Sequence, residues 1–205
     1  RTACAQNKAW QLAGLKPISV AINLSARQFR QPDLDEKVAG ILRETKLDPA
    51  CLELELTESL VMQDVEKTIA TLSKLKAMGI KLSIDDFGTG YSSLSYLKRF
   101  PIDTLKIDQS FVRDITTDPD DAAIAKSIIS MAHDMQLRVI AEGVETEAQK
   151  SFLQQRRCDE MQGYLFSKPV PATEFENLLR ESRSQPGDES VTALGSTHPA
   201  AAARG

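Results

Sequence analysis

The sequence predicts an α/β fold built as a parallel (β/α) barrel, and three observations carry that prediction. Short apolar or alternating runs are followed by helical patterns six times, at spacings of about 20 to 35 residues, which is the rhythm of βα units. A polar residue stands at or near the C-terminal end of each run: Asn23, Glu55, Asp85, Lys106 with Asp108, Glu142 and Gln162. In a βα barrel that end of the strands carries the active site. A doubly wound sheet would gather its site at one switch point, usually beside a glycine-rich phosphate loop. Neither G-x-G-x-x-G nor a Walker-type loop occurs in the chain.

Taken in order, the segment from Thr2 to Leu12 reads as a helix with Trp10 and Leu12 as apolar contacts and Gly14 as its stop. Pro17 leads into a strand over 18–22 that ends at Asn23-Leu24-Ser25. Asp33 reads as the N-cap of a helix with Leu34, Val38, Ile41 and Leu42 on one face. The run 52–58 alternates strictly, with Leu52, Leu54 and Leu56 on one face and Glu53 and Glu55 on the other. Asp64 caps the next helix (Val65, Ile69, Leu72, Leu75), and Gly79 suits its end. Leu82 and Ile84 mark a buried strand, and 102–108 marks another. A helix is expected from Asp121 with Ile124, Ile128, Met131, Ala132 and Met135 in register. Residues 137–141 form a strand ending at Glu142-Gly143, and Thr146 to Gln149 is a capping box for the next helix. A last strand is expected over 161–166, then a second capping box, Thr173 to Glu176, before a helix with Phe175, Leu178 and Leu179. The expected domain covers 1–182. Residues 183–205, rich in Ser, Pro, Gly and Ala, are expected to be a disordered tail.

Length and composition narrow the function. A chain of 205 residues, 41% hydrophobic and 26% charged, can bury one real core. A net charge of −4 argues against a binder of polymeric nucleic acid or of membrane surfaces. It leaves a phosphate substrate open, because a bound metal reverses the local sign. Cys4, Cys51 and Cys158 are odd in number and lack metal-ligand spacing, so reduced thiols in a cytoplasmic setting are expected. The Asn23-Leu24-Ser25 glycosylation pattern has no other sign of secretion beside it. Arg1 opens the chain without an initiator Met, so a piece of a longer protein, which could be membrane-anchored upstream, is expected.

The run 81–97 is the chemical centre. It places Asp85 and Asp86 side by side and then breaks at Gly88 and Gly90. Neighbouring strand residues point to opposite faces, so two adjacent aspartates serve one site only where the strand ends and the backbone turns. Adjacent carboxylates repel unless a cation or proton lies between them, and a bridging aspartate is what two-metal phosphoester hydrolysis requires. The competing reading is that an Asp-Asp pair before a Gly is a simple turn, since Asp and Gly both suit turn geometry. Asp86-Phe87-Gly88 also mimics the kinase metal triplet, but no His-Arg-Asp loop accompanies it. Asn23, Glu55, Asp85 and Asp86 form an oxygen-rich set suited to Mg²⁺ or Mn²⁺. Lys106 could steady an attacking hydroxide or neutralise a phosphate oxygen. Glu142 is a general base or a further metal ligand. His133 and His198 are assigned no role.

Asn23-Leu24-Ser25, the Glu55 to Glu58 segment, the 85–97 run, Lys106-Ile107-Asp108, the Ala141 to Thr146 segment and Gln162-Gly163-Tyr164 together resemble the EAL domain family, over about 1–179. These are bacterial phosphodiesterases that open cyclic di-GMP to linear pGpG. The resemblance implies a TIM-like barrel with one antiparallel strand, and two Mg²⁺ or Mn²⁺ ions. Asn23, Glu55 and Asp85 would hold the first ion; Asp85, bridging, and Asp86 would hold the second. Lys106 would steady the attacking water and Glu142 would act as base or ligand. Glu58 would anchor the 86–93 loop, which the family links to dimerisation. Asp108, Glu145 and Gln162 would line the site. A homodimer, and GGDEF or sensor domains in a longer parent, are further implications. The Glu-Ala-Leu segment, a phosphate-binding Arg and the first two strands are expected upstream of Arg1. A catalytically inactive cyclic di-GMP receptor or protein-interaction module is therefore the alternative. A barrel glycosidase using Glu55 and Glu142 would leave Asn23, Asp85, Asp86 and Lys106 without a purpose.

Overall fold

Six strands pair in parallel and in chain order in the computed structural model, which describes residues 1–90 and 94–182. The strands are β1 (Val20–Asn23), β2 (Leu52–Thr57), β3 (Lys81–Phe87), β4 (Thr104–Ile107), β5 (Arg138–Ala141) and β6 (Glu160–Met161). The sheet curls into a half-barrel, as the strand-helix rhythm predicts. The helices among the described residues are α1 (Thr2–Leu12), α2 (Ala26–Phe29), α3 (Leu34–Thr45), α4 (Glu58–Val61), α5 (Val65–Ala77), α6 (Leu94–Leu97), α7 (Gln109–Arg113), α8 (Pro119–Asp134), α9 (Glu147–Gln155) and α10 (Ala172–Ser182). The expected tail, 183–205, lies outside the described residues.

Register decides what each face of the sheet carries. Leu54 pairs with Leu82, Leu56 with Ile84, Ile84 with Leu105 and Leu105 with Val139. These side chains form the apolar face, and the core lies between them and buried helix residues such as Leu72, Leu75, Ile129 and Leu153. One residue along, the alternation of the strand turns the other set toward the inside of the curl. Glu53 pairs there with Lys81, Glu55 with Ser83, Ser83 with Thr104 and Thr104 with Arg138. This lumen is polar, whereas barrel interiors of this kind are commonly filled with Val, Ile and Leu. Arg138 bridges Glu160 at 2.6 Å and donates to the Thr104 hydroxyl at 3.3 Å, making a charged floor below the site.

Local chemistry sets the helix starts. Thr146 and Gln149 form the expected capping box, and Ser25 with Gln28 forms another that the glycosylation pattern concealed. Four expectations shift. α8 begins at Pro119 rather than Asp121, because Asp118 caps it and a first-turn proline needs no N–H partner. The last strand is Glu160–Met161 rather than 161–166. Gly163 there lies so close to the Val144 backbone that a Cβ would meet its carbonyl oxygen at 2.1 Å, and the chain leaves the sheet. α10 begins at Ala172, so Thr173 lies inside its first turn, and the Pro171 carbonyl accepts from Glu174 and Phe175. Asp33 precedes α3 as expected, but its carboxylate pairs with Lys37 at 3.0 Å instead of capping the backbone.

Gln149 closes the loop after β5. Its Oε1 accepts from the backbone N–H groups of Glu145 (2.7 Å) and Thr146 (2.9 Å), and its Nε2 donates to the Arg113 carbonyl at 3.0 Å. Gln149→Ala leaves three backbone groups without partners, so a loss of about 2–3 kcal/mol is expected from urea unfolding. Thr146→Ala, which removes a single cap bond, is expected to cost about 1 kcal/mol. The cysteines are free thiols, and burial pushes Cys158 up to about 12. At pH 8.5 Cys158 therefore stays protonated, and mass spectrometry is expected to find it alkylated by iodoacetamide more slowly than half-buried Cys51.

Candidate active site

Lys106 is the focus. It lies on β4 with 2% of its surface exposed, and three carboxylates from three other elements converge on its ammonium. Glu55 Oε1 from β2 stands 2.7 Å away, Asp85 Oδ1 from β3 3.2 Å away, and Glu142 Oε1, one residue past β5, 2.5 Å away. Burial works to lower the Lys106 pKa, yet Glu142, Glu55 and Asp85 hold it above its ordinary value. The carboxylates carry the reverse imbalance. Burial raises Glu55 and Glu142 above the usual range, and Lys106 only partly offsets it.

The backbone turn required for two adjacent aspartates to share one site is present at Asp86, whose φ is +54°. A non-glycine residue is held there at a cost of order 1 kcal/mol or more. The turn lets the Asp86 amide donate to Asp85 Oδ1 at 3.1 Å. Burial, then Asp85 and Asp108, push the Asp86 carboxyl above its ordinary value. Three carboxylates (Glu55, Asp85 and Glu142) thus crowd around one lysine, with the Asp86 carboxyl beside Asp85 and Asp108.

Other expected positions fall into place in different ways. Asn23 ends β1, is exposed, and stands in register with Glu55. Glu58 is buried, and its Oε2 accepts from the amides of Gly88 at 2.8 Å and Gly90 at 3.4 Å. A Cβ on Gly90 would come within 2.7 Å of Glu58 Oε1, so a side chain there would push the Glu58 carboxylate from its place. Positions 91–93 of that loop lie outside the described residues. Asp108 Oδ1 accepts from the Ser110 amide at 2.8 Å, which caps α7. Gln162 is half-buried, and its carbonyl accepts from Val144 at 3.0 Å, tying the loops after β5 and β6 together. Glu145 is exposed in the first of these loops, and its backbone is held by Gln149. Ser83, Thr104, Arg138 and Glu160, which line the same face beneath the carboxylates, were not singled out from the sequence. Their signal was the strand register, which a single sequence does not display.

Among the described residues, no three carboxylate, imidazole or thiol groups stand at the spacing of a ready metal cage. The carboxylates converge on Lys106 instead. The donors nevertheless fit a hard divalent cation: they are oxygens, they outnumber the lysine, and Glu55 Oε2 is buried without a hydrogen-bond partner.

The EAL domain family model matches residues 1–169. The chain belongs to the EAL domain family. It is 45% identical to the Cyclic di-GMP phosphodiesterase NbdA of Pseudomonas aeruginosa over 89% of this chain and 23% of that protein. The EAL domain is also similar to the solved c-di-GMP complex of the MucR phosphodiesterase of the same organism. That match has a TM-score of 0.83 and 45% identity over 85% of this chain and 70% of that one. A third match is the manganese and cyclic di-GMP complex of BlrP1 from Klebsiella pneumoniae, with a TM-score of 0.74 and 36% identity over 82% of this chain and 42% of that one. BlrP1 has been solved with calcium as well. The chain spans between 23% and 25% of the length of the first curated relatives it matches. No helix among its described residues is long and apolar enough to cross a membrane.

Removing the central cation tests the electrostatic reading. Lys106→Met leaves buried Glu55 and Asp85 and half-buried Glu142 without their counter-charge, and urea unfolding at pH 7 is expected to show a loss of about 3–5 kcal/mol. Glu142→Gln keeps Lys106 paired with Glu55 and Asp85 and removes a surplus negative charge, so a much smaller loss than for Lys106→Met is expected.

Proposed function

We propose that this EAL domain hydrolyses cyclic di-GMP to linear pGpG with the help of two divalent ions, Mg²⁺ or Mn²⁺. The observation that carries the reading is the cluster of Glu55, Asp85 and Glu142 around buried Lys106 at the C-terminal ends of neighbouring strands. NbdA and MucR, by their names, supply the substrate class, and the BlrP1 complexes support a divalent ion. Asn23, Glu55 and Asp85 would hold one ion, and Asp85 and Asp86 the other, with Asp85 shared. Bound there, the ions would supply Lewis-acid activation of water and neutralise phosphate charge.

The chain's own residues do the remaining work. A water oxygen forms the new bond to phosphorus while the bond from phosphorus to the 3′ oxygen breaks. Glu142 takes one water proton, which then passes through solvent to the departing 3′ oxygen. Lys106, charged at all working pH values, steadies the attacking oxygen. Asp108, Glu145 and Gln162 line the site, and Glu58 holds its loop. The same reading includes a homodimer, a cytoplasmic setting, and GGDEF or sensor domains elsewhere in a longer parent chain. The bifunctional name of MucR supports that last point.

Chromatography of products after incubation with cyclic di-GMP and Mn²⁺ tests the proposal. Formation of pGpG is expected, with EDTA abolishing it and Glu142→Gln lowering kcat by about 10²–10⁴-fold. Nucleotide binding without any pGpG overturns it in favour of the receptor alternative.

A further inference from the structure

Glu55 and Lys106 lie on β2 and β4, with β3 between them, yet their side chains meet at 2.7 Å. The Glu55 side chain must therefore pass across β3. The β3 residue in register with Glu55 is Ser83, which is in turn in register with Thr104 of β4. Ser83 is 0% exposed, and its hydroxyl has no hydrogen-bond partner; Glu55 Oε2 is buried without one too. Two orphaned polar atoms on neighbouring strands, at one level and on one face, are uncommon in a folded protein. An apolar residue at position 83 would avoid one of them.

We infer that Ser83 is a positioning residue for Glu55: its hydroxyl, through one bridging water, holds the Glu55 carboxylate in the orientation in which it binds a divalent ion. The Thr104 hydroxyl, which accepts from Arg138, gives that water a third polar neighbour and links the site to the charged floor. Groups that orient a metal ligand from behind commonly change metal affinity by about 10–100-fold when removed. This inference rests on the proposed role of Glu55 as a metal ligand.

The test is a Mn²⁺ titration of wild type and Ser83→Ala, read by electron paramagnetic resonance of free Mn²⁺, with the Tm of each metal-free protein measured alongside. Ser83→Ala removes one oxygen and adds no bulk. Its Tm is expected close to that of wild type, since the alanine methyl fills the same space and the water keeps Glu55 and Thr104 as partners. Its Kd for Mn²⁺ is expected to rise about tenfold or more. Unchanged affinity overturns the inference and leaves the proposed function standing. Affinity and Tm that fall together assign Ser83 to packing and also overturn it. A wild-type chain that binds no Mn²⁺ overturns both readings.

Discussion

A single ammonium group shared among three carboxylates is what the rest of this structure depends on. Lys106, Glu55, Asp85 and Glu142 come from four successive βα units, so their contacts run across the sheet rather than along one strand. Each charge taken from water costs several kcal/mol, and mutual attraction repays it only with close geometry. Distances of 2.5 to 3.2 Å supply that geometry, but the carboxylates still exceed the lysine in number. An arrangement with surplus buried negative charge is weak as a stabilising device. It makes sense as a site that becomes fully compensated when a cation arrives.

The sheet makes such a site affordable by dividing labour between its faces. Leu52, Leu54 and Leu56 bury one face of β2 against helices, while Glu53 and Glu55 are buried on the other. Hydrophobic burial therefore comes from the outer face, and the lumen is free to be polar. Arg138, Thr104 and Glu160 satisfy one another below the carboxylates, so the polar column is continuous from floor to site.

Backbone geometry does the final aiming. The left-handed turn at Asp86 gathers two adjacent carboxylates that a regular strand would send to opposite faces. The loop that follows is gripped by Glu58 through the Gly88 and Gly90 amides, and a side chain at Gly90 would displace the Glu58 carboxylate. A strained residue followed by a tightly held loop fixes where the Asp85 and Asp86 carboxylates stand.

The sequence by itself determined the strand and helix order, and which polar residue ends each strand. Both follow from local periodicity and from capping chemistry such as that of Thr146 and Gln149. It also set the condition under which Asp85 and Asp86 could share a site, a backbone turn, because period-two geometry leaves no other way to unite them. Tertiary structure alone decided that Lys106 is the centre to which the carboxylates point, since four strands must pair in register before their charges meet. It placed Ser83 beside Glu55 for the same reason. It also ended β6 at Met161, where the backbone of Val144, remote in sequence, presses against Gly163. Periodicity records which face a residue belongs to. Only register records which residues across the sheet it will meet there.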